Sequence, residues 1–103
     1  LQQVIILGEL FTSNVLRRLS YCQNLRQIVL NSMDMDRHSL ELINELPNIR
    51  SVELLDCRFQ DPWDLSVLVD NENIDLLDVR WAEIDSDIIE CLRKRRSGID
   101  IAW

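Results

Sequence analysis

Apolar residues recur along this chain in two alternating rhythms. Leu1, Leu25, Ile49 and Ile74 open similar stretches, separated by 24, 24 and 25 residues. Three positions later stand Val4, Ile28, Val52 and Leu77, and two beyond those Ile6, Leu30, Leu54 and Val79. Glu9, Met33, Cys57 and Ala82 follow, then Phe11, Met35, Phe59 and Ile84. Side chains two apart share one face of a strand, so each stretch predicts a strand with one buried face. The second half of each unit changes period. Leu16, Leu19 and Cys22 stand three apart, as do Leu40, Ile43 and Leu46, Leu65 and Leu68, and Ile89 and Leu92. That spacing sets them along one side of a helix. A fifth, degenerate start is Ile99-Asp100-Ile101, with Ile99 matched to Leu77, Ile101 to Val79 and Arg96 in the leading position.

Punctuation agrees with the rhythm. Thr12 or Ser13, Asp36, Asp61 before Pro62, and Asp85 or Ser86 are helix-capping residues at the right places. Pro47 closes the second helical stretch, and the cations Arg93-Lys94-Arg95-Arg96 suit the end of the fourth. The pattern predicts strands near 3–7, 27–31, 51–55, 76–80 and 98–102, and helices near 13–21, 37–46, 63–70 and 86–96. Strands joined through helices run parallel. The whole chain, 1–103, then forms one domain of units 1–24, 25–48, 49–73, 74–95 and 96–103. Units of this size stack into a curved ribbon with strands on its inner wall and helices outside.

Composition narrows the function classes. The chain has 11 Lys plus Arg against 18 Asp plus Glu, a formal net charge of −7. Such acidity disfavours nucleic acid, whose phosphates demand basic charge. No apolar run approaches the roughly 18 residues of a membrane span, and no signal-peptide pattern opens the chain. Two Gly leave little material for a phosphate-cradling loop. Cys22, Cys57 and Cys91 are odd in number and far apart, which fits reduced intracellular thiols better than a disulfide framework or zinc site. No cofactor and no metal site is expected. The start at Leu1 suggests a segment of a larger intracellular protein, cytoplasmic or nuclear.

Cys22-Gln23-Asn24-Leu25-Arg26-Gln27-Ile28-Val29-Leu30 resembles the C-x-N-L-x-x-L-x-L stretch of cysteine-containing leucine-rich repeats. Leu46-Pro47-Asn48-Ile49-Arg50-Ser51-Val52-Glu53-Leu54 is similar, and Ile84-Asp85-Ser86-Asp87-Ile88-Ile89 resembles the I-T-D-x-x-L helix start of the same subclass. The resemblance covers essentially the whole chain. It implies an α/β leucine-rich repeat solenoid of about four strand–turn–helix units plus a final strand, with a concave parallel sheet and convex helices. Ribonuclease-inhibitor-like proteins and leucine-rich F-box proteins belong to this group. The family places Asn or Cys where the chain turns out of the strand; here Cys57 matches, and Glu9, Met33 and Ala82 depart from the pattern. Neither end carries a polar capping unit, which points to missing flanks or a partner.

By the same resemblance, function sits on the inner wall. Residues between the buried strand positions point to the opposite face of the sheet. They form columns: Gln3, Gln27, Ser51, Leu76; then Ile5, Val29, Glu53, Asp78, Asp100; then Leu7, Asn31, Leu55, Arg80, Ala102; and at the edge Gly8, Ser32, Asp56, Trp81, Trp103. Early units present aliphatic side chains and later ones carboxylates beside tryptophans. The candidate partner-binding residues are therefore Ile5, Leu7, Val29, Glu53, Leu55, Asp56, Asp78, Arg80, Trp81, Asp100 and Trp103. Such a wall suits a protein partner with basic and hydrophobic residues. Equally, a flanking segment covers the aliphatics and the tryptophans pack over the sheet edge.

Other candidates have plainer explanations. His38 lies at a helix start, and the adjacent Ser39 points away from it on a helix, so a nucleophile–base pair is not formed. Asp34/Asp36, Asp70/Glu72 and Asp85/Asp87 lack a Gly-containing calcium loop and fit turns and helix starts. Arg93–Arg96 reads as a helix terminus ahead of a nuclear import signal or phosphate contact. Trp63 packs the outer helix layer or, in the alternative, stands as an exposed anchor, and Cys91 is not expected to be a reactive thiol. The expectation is a non-enzymatic protein-interaction module, by resemblance the substrate-recruiting part of an F-box-type ubiquitin ligase receptor. The alternative is a scaffold subunit whose sheet or uncapped ends dock a permanent partner.

Overall fold

A computed structural model describes the backbone of residues 3–7 and, besides residues 18 and 21, residues 23–103 in full. Five strands form one parallel sheet: β1 (Gln3–Leu7), β2 (Gln27–Asn31), β4 (Ser51–Leu55), β6 (Leu76–Asp78) and β7 (Asp100–Ala102), in that spatial order. Two short strands, β3 (Asp34–Met35) and β5 (Arg58–Phe59), pair in parallel as a second sheet. Between them run helix α1 (Arg37–Asn44), a 3₁₀ turn (Pro62–Leu65) continuing into α2 (Ser66–Val69), and α3 (Ser86–Arg95). The helix expected over 13–21 lies outside the described residues. The protein is thus an α/β domain built on a parallel sheet.

The period-two pattern explains which strand face is buried. Ile28, Leu30, Val52, Leu54, Leu77, Val79 and Ile101 close against Leu40, Ile43, Leu65, Leu68, Ile89 and Leu92 from the helices. The leading residues Leu25, Ile49 and Ile74 are completely buried in the same core. Each such side chain contributes about 1.5–3 kcal/mol relative to exposure.

Carboxylates start α1, the 3₁₀ turn that leads into α2, and α3. Asp36 accepts from Ser39 N–H at 2.8 Å, Asp61 from Trp63 N–H at 3.0 Å ahead of Pro62, and Asp85 from Asp87 N–H at 3.0 Å. Each satisfies a backbone donor that the helix itself leaves unpaired.

Strand register sets the columns of the exposed face. Ile5, Val29, Glu53 and Asp78 are successive partners across β1, β2, β4 and β6. The last strand departs from expectation. Asp100 faces Leu76 and Ala102 faces Asp78, so Asp100 belongs to the first column and Ala102 to the second. Ile101, not Ile99, is level with Leu77. The shift arises because α3 ends at Arg95 and Arg96 turns extended (φ −153°), so the turn through Ser97 and Gly98 delays the strand to Asp100. Strand β6 also ends early, at Asp78, whose own carboxylate accepts Arg80 N–H at 3.1 Å.

Candidate functional site

The exposed face of the sheet is narrower than its sequence pattern suggests. Val29, in the middle column, keeps only 9% of its surface. Gln27 and Glu53 are half-buried, and Gln27 Nε2 donates to Glu53 Oε2 at 3.3 Å. Leu55 is half-buried beside them. Ile5 and Leu7 are in register with Val29 and Asn31, but their side chains lie outside the described residues.

Asp78 is not the open carboxylate its column implied. It is 4% exposed, and Arg80 closes over it. Arg80 Nε donates to both Asp78 oxygens at 3.0 Å, and a terminal guanidinium nitrogen lies 3.0 Å from Oδ2. Arg80 lies in the turn just past β6, which Asp78 closes by accepting Arg80 N–H, and the turn brings the guanidinium back over the carboxylate. The acidic contribution to the surface therefore comes from Glu53, Asp56 and Asp100.

One residue past β2 and β4, and three past β6, the backbone enters the left-handed region. Ser32 has φ 60°, Asp56 φ 53° and Trp81 φ 65°. This turn lets the chain drop Met33 and Cys57 back into the core while Ser32 N–H donates to Leu55 O at 2.9 Å and Asp56 N–H to Arg80 O at 3.0 Å. Ser32 Oγ also donates to Asp56 Oδ2 at 3.1 Å. Beneath, Cys57 Sγ reaches Leu30 O at 3.7 Å and Leu55 O at 3.5 Å, so the thiol ties the turn to the sheet. Burial pushes this thiol above the ordinary range.

A short polar residue tolerates left-handed backbone by bonding locally; tryptophan gains nothing there. Yet Trp81 occupies the position with 64% of its surface exposed. Its neighbour is the Arg80 guanidinium, 5.2 Å from the ring centroid. Backbone strain and exposed aromatic surface coincide at one residue, beside Asp56 on the adjoining rung.

Trp103 does not join this group. Residues 101 and 103 point the same way along the last rung, and Ile101 points into the core. The Trp103 ring accordingly lies on the helix side, 4.4 Å from the Arg93 guanidinium of α3. Arg93 also donates to Ile101 O at 2.9 Å. Arg95 pairs with Asp70, and Arg96 donates to Val69 O at 2.8 Å and to Ile74 O. Three of the four cations in the basic run thus tie the end of α3 to β7 and to the end of α2 and the segment after it, a role that the sequence pattern does not reveal. Trp63 is half-exposed at its 3₁₀ turn, Cys91 is exposed on α3, and His38 is exposed on α1.

Among the described residues, no three His, Cys, Asp or Glu side chains converge to hold a metal ion. No described helix is long and apolar enough to cross a membrane. Compared with models of known protein families, with curated proteins and with solved structures, the chain matches none.

Proposed function

We propose that this chain is a protein-interaction module of the leucine-rich repeat type, a solenoid whose exposed sheet face receives the partner. The partner carries an apolar side chain for Trp81 and basic residues for Glu53, Asp56 and Asp100. One observation carries this: a tryptophan held at φ 65° with most of its ring in solvent. Neither its backbone nor its burial benefits the isolated fold, and tryptophan is enriched among the energetic anchors of interfaces. The flanking carboxylates add attraction to a basic partner and speed its encounter. The narrower form, substrate recruitment within an F-box-type ubiquitin ligase receptor, rests only on the family resemblance of the Cys22–Leu30, Leu46–Leu54 and Ile84–Ile89 segments.

The test is affinity capture from cell extract with the wild-type chain, Trp81→Asn and Trp103→Ala. Asn accepts the left-handed backbone, so the fold persists. A prey lost with Trp81→Asn and retained with Trp103→Ala supports the proposal. Prey shared equally by all three chains overturns it. Ubiquitin ligase subunits recovered with the prey support the narrower form.

A further inference from the structure

A second feature lies at the opposite ends of the strands. Arg26 and Arg50 immediately precede the partnered residues Gln27 and Ser51, and Arg50 N–H donates to Arg26 O at 2.8 Å. Adjacent parallel strands lie about 4.8 Å apart, so two guanidinium-bearing side chains leave neighbouring rungs side by side. Like charges so placed repel and destabilise a sheet. The third rung supplies Asp75, but it reaches only Arg50, at 3.5 Å and in solvent. Arg26 has no carboxylate within 4 Å among the described residues.

Six other arginines are engaged. Arg37, Arg58, Arg80 and Arg95 each hold a carboxylate at 3.4 Å or less, while Arg93 and Arg96 hold backbone carbonyls. Arg26, together with Arg50 beyond its solvent-exposed contact with Asp75, lines an open cleft of about 160 Å³ with Asn48 and Asn73. Asn48 Nδ2 spends one proton on Gln23 O, and the Asn73 carboxamide bonds no described residue. The two planar guanidinium forks carry donors alone, and each carboxamide can turn its amide N–H toward whatever enters between the arginines.

We infer that this cleft binds a phosphate group, free or esterified. The tetrahedral oxyanion takes paired N–H donors from each guanidinium and removes the repulsion between them. Its place at the strand starts makes it independent of the Trp81 face.

Thermal unfolding in sodium phosphate, set against sodium chloride of equal ionic strength, tests the inference. Phosphate raises the midpoint saturably, by about 3 °C, in the wild-type chain. Arg26→Gln and Arg50→Gln each weaken the apparent affinity about tenfold, and Lys94→Gln leaves it unchanged. A phosphoserine peptide that binds more tightly than both inorganic phosphate and its unphosphorylated form assigns the ester; equal affinity of peptide and ion assigns the free ion. Identical midpoints in phosphate and chloride overturn the inference. So does a response that survives both Arg→Gln changes, or one that disappears with Lys94→Gln.

Discussion

Asp56 and Trp81 share one backbone conformation after the neighbouring strands β4 and β6, φ 53° and φ 65°, and Asp56 N–H donates to the carbonyl of Arg80, the residue just before Trp81. Aspartate suits that geometry and tryptophan does not. The first expected outcome follows. Trp81→Asn relieves backbone strain while losing the Arg80 stack, and these effects nearly cancel. Trp81→Ala keeps the strain and loses the stack. Urea titration should place Trp81→Asn about 1 kcal/mol above Trp81→Ala and close to the wild-type chain.

The basic run at the end of α3 is structural. Arg96 is half-buried and bonds Val69 O and Ile74 O, whereas Lys94 is exposed and holds no carboxylate among the described residues. Arg96→Ala strands two carbonyls and lowers stability by about 2–3 kcal/mol. Lys94→Ala changes it by about 0.5 kcal/mol or less. Equal denaturant midpoints for the two variants would reject this assignment.

Three aspartates should make the protein less stable in acid. Hydrogen bonds and charge from Arg58 hold the Asp34 carboxyl below its usual range. The Ser39 N–H and hydroxyl do the same for Asp36, and Arg95 for Asp70. A carboxyl that is more acidic when folded stabilises the fold above the unfolded-state value, about 3.9, and loses that contribution as pH falls through the folded value. Melting temperature should be level above about pH 5 and decline below about pH 4. Asp36→Asn retains a helix cap that cannot titrate, so its decline is shallower.

Cys57 and Cys91 differ in environment. Cys57 is buried, with its thiol pushed up by desolvation, and Cys91 is exposed. In a chain carrying Cys22→Ser, a disulfide reagent at pH 8 should label Cys91 fast and Cys57 only as the chain unfolds. The raised value at Cys57 means that the fold favours the neutral thiol. Its contribution is complete below the ordinary thiol range and is lost as pH rises through the folded value.

The strands were legible because apolar spacing at two survives wherever one face is buried. Val52-x-Leu54 and Ile28-x-Leu30 carry that signal alone, and register then follows from the spacing between units. The last strand was misplaced because Ile99 and Ile101 fit either of two alignments, and only the turn after Arg95 decides between them. β3 and β5 escaped notice since two residues each are too few for a period. The columns located Glu53, Asp56 and Trp81 on the exposed face, but not the closure of Arg80 over Asp78, which depends on side-chain direction. Trp103 was assigned to the wrong side by the same two-residue shift in register. The left-handed turn at Trp81 left no trace in sequence because glycine, its usual signature, is absent there.

The most direct measurement makes Trp81 its own reporter. A chain with Trp63 and Trp103 replaced by Phe retains one tryptophan, and a second chain retains only Trp103. Each is titrated with the captured partner or with peptides alternating Leu or Phe with Arg, and iodide quenching follows the ring. The account predicts a blue shift and protection from iodide for Trp81, with Trp103 unchanged. Protection of Trp103 while Trp81 remains open to iodide would contradict it.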